Sequence, residues 1–325
     1  MPDNLKDKVL LVGPGNIGYD YFEILQTFNV KFDIVGRSRG SCKQFSKKIN
    51  KYVYSGGIKS YIKKNSKPPK YAIVAVNENQ LSNVTLSLID YGVKNILLEK
   101  PGGLSISELT KIKNKSISKS CKVYIGYNRR FYQSVEKCKE FLKDNKEPLN
   151  IHFEFTEWSH DIDFSHYTKN ELERFFLCNS SHVVDLVFHL FGRPKFLNSY
   201  TNGSLKWHPS ASIFSGSGKT EKDVLFTYNA NWSSAGRWGI EISLSDCKLI
   251  LRPLEKLFIQ KKGSLELEEF DIFNYNNLDY LYKPGLFNQV NFFLHGATKN
   301  LCTIDEQIIN FDWYYKIANY KEEVK

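Results

Sequence analysis

The chain has 325 residues, 42% hydrophobic and 25% charged, with a formal net charge of +10; this length accommodates two domains, and this balance excludes a disordered chain. The basic residues are dispersed, with loose groups only at Lys47, Lys48, Lys51 and at Lys63, Lys64, Lys67, Lys70, so the charge reads as a solvated surface rather than a nucleic-acid track. No apolar stretch approaches the roughly 18 residues of a membrane span, and Cys42, Cys121, Cys138, Cys178, Cys247 and Cys302 make no C-x-x-C pair, which argues against a metal site and for a reducing compartment.

The opening segment, Met1 to Lys8, is charged and lacks the apolar core of an export signal, so a cytoplasmic protein is expected. Short apolar runs then alternate with helical spacing. Strands are expected at Val9 to Val12, Phe32 to Val35, Tyr71 to Val76, Asn95 to Leu98 and Lys122 to Gly126, with helices at Tyr19 to Phe28, Gln80 to Tyr91 and Ser105 to Lys115 between them. Strand and crossover helix in alternation define a Rossmann-type, doubly wound parallel sheet over residues 1–127. Beyond it the pattern changes to alternating strands, Ile151 to Glu157, Val224 to Trp232, Trp238 to Ser245 and Lys248 to Leu251, followed by helices at Leu286 to Ala297 and Ile304 to Tyr320. Residues 128–325 therefore read as an α+β domain with a large, mostly antiparallel open sheet that binds substrate and mediates oligomerisation.

Gly13-Pro14-Gly15-Asn16-Ile17-Gly18 follows the first strand and opens the first helix, the context that a G-x-G-x-x-G match requires. Gly13 permits the turn, Gly15 admits a pyrophosphate, Gly18 allows helix against strand, and Asn16 and Ile17 carry helix N-terminal amides. The second strand ends in Val35-Gly36-Arg37-Ser38-Arg39 instead of the carboxylate that would hold the ribose hydroxyl of NAD. Two guanidinium groups and a hydroxyl suit a 2′-phosphate, so NADP is expected, with NAD as the alternative if both arginines are merely solvated.

Three further segments make the chain resemble the Gfo/Idh/MocA oxidoreductases, two-domain sugar and cyclitol dehydrogenases: Glu99-Lys100-Pro101, Tyr127-Asn128-Arg129-Arg130-Phe131, and His182-Val183-Val184-Asp185 with Gly192 beyond. Their order and spacing match the family as far as about residue 194. The resemblance implies that Lys100 reaches nicotinamide and substrate, that His182 accepts the hydroxyl proton, and that Asp185 orients it or binds substrate. It also assigns Val76, Asn77, Glu99 and Asn128 to the cofactor and Tyr127, Arg129 and Asn179 to the substrate, although Tyr127, Asn128 and Arg129 equally suit a domain link. A homodimer or homotetramer is the family expectation.

On a helix, His182, Asp185 and His189 fall within about 60° of one another, opposite Val184, Val187, Phe188 and Phe191, which predicts an outward-facing polar stripe capped by Asn179, Ser180 and Ser181. One departure stands out. The family often carries an acid four residues before the histidine, where this chain has Cys178, so a substrate-orienting carboxylate is missing and Asn179 is the substitute. Trp158, Trp207-His208, Trp232 and Arg237-Trp238 offer faces for a sugar ring or, alternatively, sheet packing.

The function expected is hydride transfer between nicotinamide and a CH–OH or C=O carbon of a sugar, sugar derivative or nucleotide sugar. Its rivals are a glycosidase that oxidises its sugar transiently, an imine or tetrapyrrole reductase, and a non-catalytic NADP-binding regulator.

Overall fold

The computed structural model describes residues 7–143, 147–272 and 278–321; Met1 to Lys6, the bulk of the segment read for an export signal, lies outside the described residues. Two compact units emerge, Met1–Gly126 with Leu286–Ile308 and Tyr127–Gly285 with Ile309–Lys325.

The first unit runs β1 (Val9–Val12), α1 (Asn16–Thr27), β2 (Phe32–Val35), α2 (Arg39–Ile49), α3 (Gly57–Lys64), β3 (Tyr71–Val74), α4 (Glu78–Tyr91), β4 (Asn95–Glu99), α5 (Ile106–Ser118) and β5 (Lys122–Gly126). These strands form a parallel sheet in the order β2-β1-β3-β4-β5. Parallel strands covered by helices on both faces must be apolar throughout, and Val-Leu-Leu-Val in β1 is buried at every position. Strand order reverses beside β1, the switch point where such sheets bind ligands, and the glycine turn lies there. Between β2 and β3, Lys47 and Lys48 occupy the last turn of α2 and Lys63 and Lys64 that of α3. Positive charge in these last turns complements the negative end of the helix dipole.

A late segment rejoins this unit. Helix α10 (Leu286–His295; α6 to α9 belong to the second unit) sets Phe287 4.8 Å from Phe28 and Phe293 5.6 Å from Tyr71 between ring centroids. Strand β14 (Cys302–Thr303) then adds antiparallel to β5.

In the second unit, α6 (Gln133–Lys143), β6 (Asn150–Glu154), α7 (Lys169–Glu173), α8 (Ser181–Phe191), β7 (Pro194–Asn202), β8 (Ile213–Thr220), β9 (Leu225–Asn231), β10 (Gly239–Ser243), β11 (Cys247–Leu251), β12 (Phe258–Lys261) and β13 (Glu268–Glu269) precede a short α9 (Leu278–Leu281). Its eight strands order as β13-β12-β11-β10-β6-β9-β8-β7, antiparallel except for β6 beside β9. Exposed and buried residues alternate along β8 and β9, as a sheet with one covered face demands. The final helix, α11 (Ile304–Ala318), begins in the first unit and ends in the second. No helix among the described residues is long and apolar enough to cross a membrane.

Two local expectations fail. The His182 stripe does not face outward: His182 and Asp185 are 2% and 0% exposed, and only His189 is partly accessible. On its polar side α8 meets Arg129 and Arg130 rather than solvent. Nor do Asn179, Ser180 and Ser181 cap α8, because a π-turn over Phe176–Ser180 runs directly into it and Ser180 has helical backbone angles. The histidine thus sits within continuing helix instead of at an open N-terminus.

Candidate active site

The glycine turn is built by exclusion. Gly13 has φ +116°, and a side-chain carbon there would lie 2.0 Å from the Ala75 carbonyl oxygen, while one at Gly18 would lie 1.9 Å from the Gly13 oxygen. At Gly15 nothing lies within 4 Å of that position. Gly15 is also the N-cap of α1 and offers no side-chain hydrogen bond, so the amides of Asn16, Ile17 and Gly18 are left for an anion. This cradle fits a dinucleotide pyrophosphate. Gly15→Val is expected to fold like the parent and lose dinucleotide affinity, whereas Gly18→Val is expected to lose about 1–3 kcal/mol of stability; thermal melts beside a fluorescence titration with NADPH separate the two.

Arg37, Ser38 and Arg39 are exposed at the end of β2, and the Ser38 hydroxyl caps α2 by accepting from the Ser41 amide at 3.4 Å. Asn77, the N-cap of α4, makes no side-chain cap bond, and Val76 beside it is half-buried. Glu99 ends β4 and accepts from the Tyr21 hydroxyl at 2.6 Å, a partner invisible in the sequence. Lys100 follows, joined to Pro101 by a cis peptide, its ammonium 3.7 Å from Glu78 and its side chain 17% exposed.

In the second unit the turn after β5 lies against α8. Arg129 Nη1 is 2.9 Å from His182 Nε2 and 2.8 Å from Asn128 Oδ1. A guanidinium only donates, so Nε2 must be the bare, accepting nitrogen of a neutral imidazole. The Tyr127 ring stands edge-on to His182 at 5.5 Å and its hydroxyl donates to Ser181 at 3.3 Å. Asn128 donates to the Pro284 carbonyl at 2.8 Å. Asp185 pairs with Arg130, which donates to both carboxylate oxygens, at 2.7 and 2.6 Å, in a pair that is 1% exposed on each side. Arg130 stands in the motif that carries the resemblance, but its pairing with Asp185 shows only in the fold.

A buried carboxyl lies against the two residues that follow Cys178. Glu157, three residues past β6, is 3% exposed and accepts from Ser180 at 2.5 Å and from Asn179 at 2.9 Å, with Arg237 at 3.7 Å. Burial pushes its carboxyl up to about 7, against the lowering influence of Ser180 and Arg237. The Trp238 indole nitrogen lies near enough to lower it too, yet is buried without a hydrogen bond of normal geometry. Since the folded state holds this proton more tightly than the unfolded chain, Glu157 lowers stability progressively as pH rises between about 4.5 and about 7. Glu157→Gln is therefore expected to gain stability relative to the parent across that window; denaturant midpoints at several pH values check the sign.

The aromatic candidates divide. Trp207 stacks on Trp232 at 5.8 Å, and His208, bound to Ala211 and Tyr320 at 2.7 and 2.8 Å, is depressed by burial to about 4; this is packing. His189, depressed to about 3 by burial, is also a packing residue. Trp158 is 45% exposed, and Arg237 lies 4.6 Å from its ring and 5.1 Å from that of Trp238. Glu157, Trp158, Asn179 and Arg237 border a cleft of about 260 Å³.

Fold and turn together define a dinucleotide-binding protein of the Rossmann class. Residues 8–127 match the sequence model of the Gfo/Idh/MocA oxidoreductase family, described as an NAD-binding Rossmann fold. No curated protein matches the chain. Solved structures share the fold: an oxidoreductase from Agrobacterium radiobacter in complex with NAD+, L-tartaric acid and magnesium is 11% identical, with 97% of this chain and 96% of that one covered at a TM-score of 0.78. An inositol dehydrogenase homolog from Azotobacter vinelandii complexed with NADH and myo-inositol is 15% identical (97% and 95% covered, TM-score 0.76), and a UDP-N-acetylglucosamine 3-dehydrogenase from Acidithiobacillus ferrooxidans is 13% identical (97% and 97%, TM-score 0.74).

Proposed function

We propose that the protein is a cytoplasmic oxidoreductase that interconverts CH–OH and C=O at one carbon of a sugar or sugar derivative, with NADP as its dinucleotide. The observation that carries this reading is the neutral imidazole of His182, whose Nε2 already accepts a hydrogen bond, in a chain matched over residues 8–127 by an NAD-binding oxidoreductase family.

Gly13, Gly15, Asn16, Ile17 and Gly18 hold the pyrophosphate, Val76, Asn77, Glu99 and Asn128 line the rest of the dinucleotide, and Arg37, Ser38 and Arg39 take the 2′-phosphate. The bound nicotinamide supplies the hydride acceptor or donor. The substrate hydroxyl takes the place of Arg129 as donor to Nε2, and Arg129 retains Asn128 as its partner. His182 then receives the hydroxyl proton as Lys100 stabilises the developing alkoxide; Tyr127 fixes the imidazole edge, and Asp185 positions α8 through Arg130. Carbonyl reduction uses the same groups in reverse.

Replacing Arg37 and Arg39 by alanine is expected to weaken NADPH about 10–100-fold while altering NADH by less than about threefold, since each lost bond joins two charged groups. Equilibrium titration with both cofactors measures the ratio. For the reaction itself, keto sugars and nucleotide keto sugars are screened for NADPH oxidation; consumption of NADPH by none of them would refute the assignment.

A further inference from the structure

The cleft beside Glu157 has a chemistry of its own. Its border contributes three carboxyl groups, Glu157, Asp161 and Asp163, against one permanent cation, Arg237, and an exposed indole face at Trp158. His166 also faces it and is 3.2 Å from Asp163. A phosphate or uronate in such surroundings would meet more negative charge than positive. Hydroxyl groups, by contrast, find acceptors in the carboxylates and donors in Arg237 and Asn179, and the apolar face of a sugar ring finds the indole.

A buried carboxyl needs a reason. Glu157 is held by Asn179 and Ser180, three and two residues ahead of His182, and the buried Trp238 nitrogen beside it makes no hydrogen bond of normal geometry. We propose that this cleft is the subsite for an uncharged, hydroxylated ring of the substrate, and that Glu157, standing in for the acid absent at Cys178, is the residue that orients that ring. The inference rests on the sugar-like substrate argued above and narrows it: phosphate, nucleotide or carboxylate groups of the substrate stay outside this cleft. A residue that costs stability at neutral pH and is nevertheless buried in a ligand-sized cleft fits a binding role better than a structural one.

The test uses Glu157→Gln and, because Trp158 is exposed and its loss cannot empty the core, Trp158→Ala. Neutral sugars and cyclitols are compared with uronates and sugar phosphates, by NADPH-coupled turnover and by quenching of tryptophan fluorescence. Expected for both variants is a KM or dissociation constant for the preferred neutral ring raised about tenfold or more, with kcat changed less than about threefold, NADPH affinity unchanged and no fall in Tm for Glu157→Gln. An unchanged KM, a loss confined to kcat and Tm, or preferential binding of uronates or sugar phosphates overturns the proposal. If the parent turns over no sugar, the oxidoreductase reading fails by itself; the subsite then stands on saturable quenching by a neutral ring that Glu157→Gln weakens, and falls if there is none.

Discussion

Lys100→Met is expected to bind NADPH within about threefold of the parent and to lose about 10²–10⁴ in kcat. Methionine preserves the length and apolar stem of the side chain, so what disappears is the ammonium that stabilises charge on the reacting oxygen. Lys100 is 17% exposed and its ammonium stands 3.7 Å from the Glu78 carboxylate, a loose pair that contributes little to stability. Equal losses in NADPH affinity and turnover, or a marked drop in Tm, would assign Lys100 a structural part instead. Rapid-mixing measurements of bound NADPH beside steady-state rates make the separation.

Arg130→Met is expected to destabilise the protein by about 3–5 kcal/mol, because it removes the cation that binds both oxygens of a buried carboxylate. Both oxygens of Asp185 are satisfied by Arg130, and each partner is 1% exposed. Replacing both residues, Arg130→Met with Asp185→Leu, is expected to recover part of that loss, since the two charges of the pair are removed together. Denaturant melts of the two single variants and the double variant form the cycle. Additive losses, with Asp185→Leu affecting kcat alone, would return Asp185 to the substrate-ligand role that the sequence also allowed.

The first unit was legible because its signals are local. Apolar runs such as Val9 to Val12 are buried on both faces and read as strands without alternation, and the glycine turn carries its geometry in residue type. The segment Leu286–Ile308 is different: two residues in β14 have no periodicity to detect, and helix α10 shows only that it is amphipathic, not that its partner is α1. Strands β7 and β8 were missed for a chemical reason. Their Lys, Asn, Ser and Gly composition resembles a loop, yet a side chain at Gly216 or Gly218 would strike the rings of Tyr228 or Phe226, so the glycines are strand positions that make room for aromatic neighbours.

In the candidate site, identity was readable and orientation was not. Helical spacing grouped His182 with Asp185, but no spacing rule announces that Arg129 and Arg130, consecutive in the chain, take one of these residues each. Glu157 had a faint signal. Continuing the alternation of Ile151, Phe153 and Phe155 puts a glutamate on the covered face, an anomaly for an ionisable residue that calls for a functional explanation.

Hydride transfer is the claim on which the rest depends, and isotope transfer tests it most directly. The protein is incubated with keto sugars and NADPH deuterated at the reactive nicotinamide carbon, and the products are examined by mass spectrometry. The account predicts an alcohol carrying one deuterium at the former carbonyl carbon, with the label lost from the cofactor. Sugar product formed with no deuterium, or label retained in full on the cofactor with every sugar tried, contradicts it.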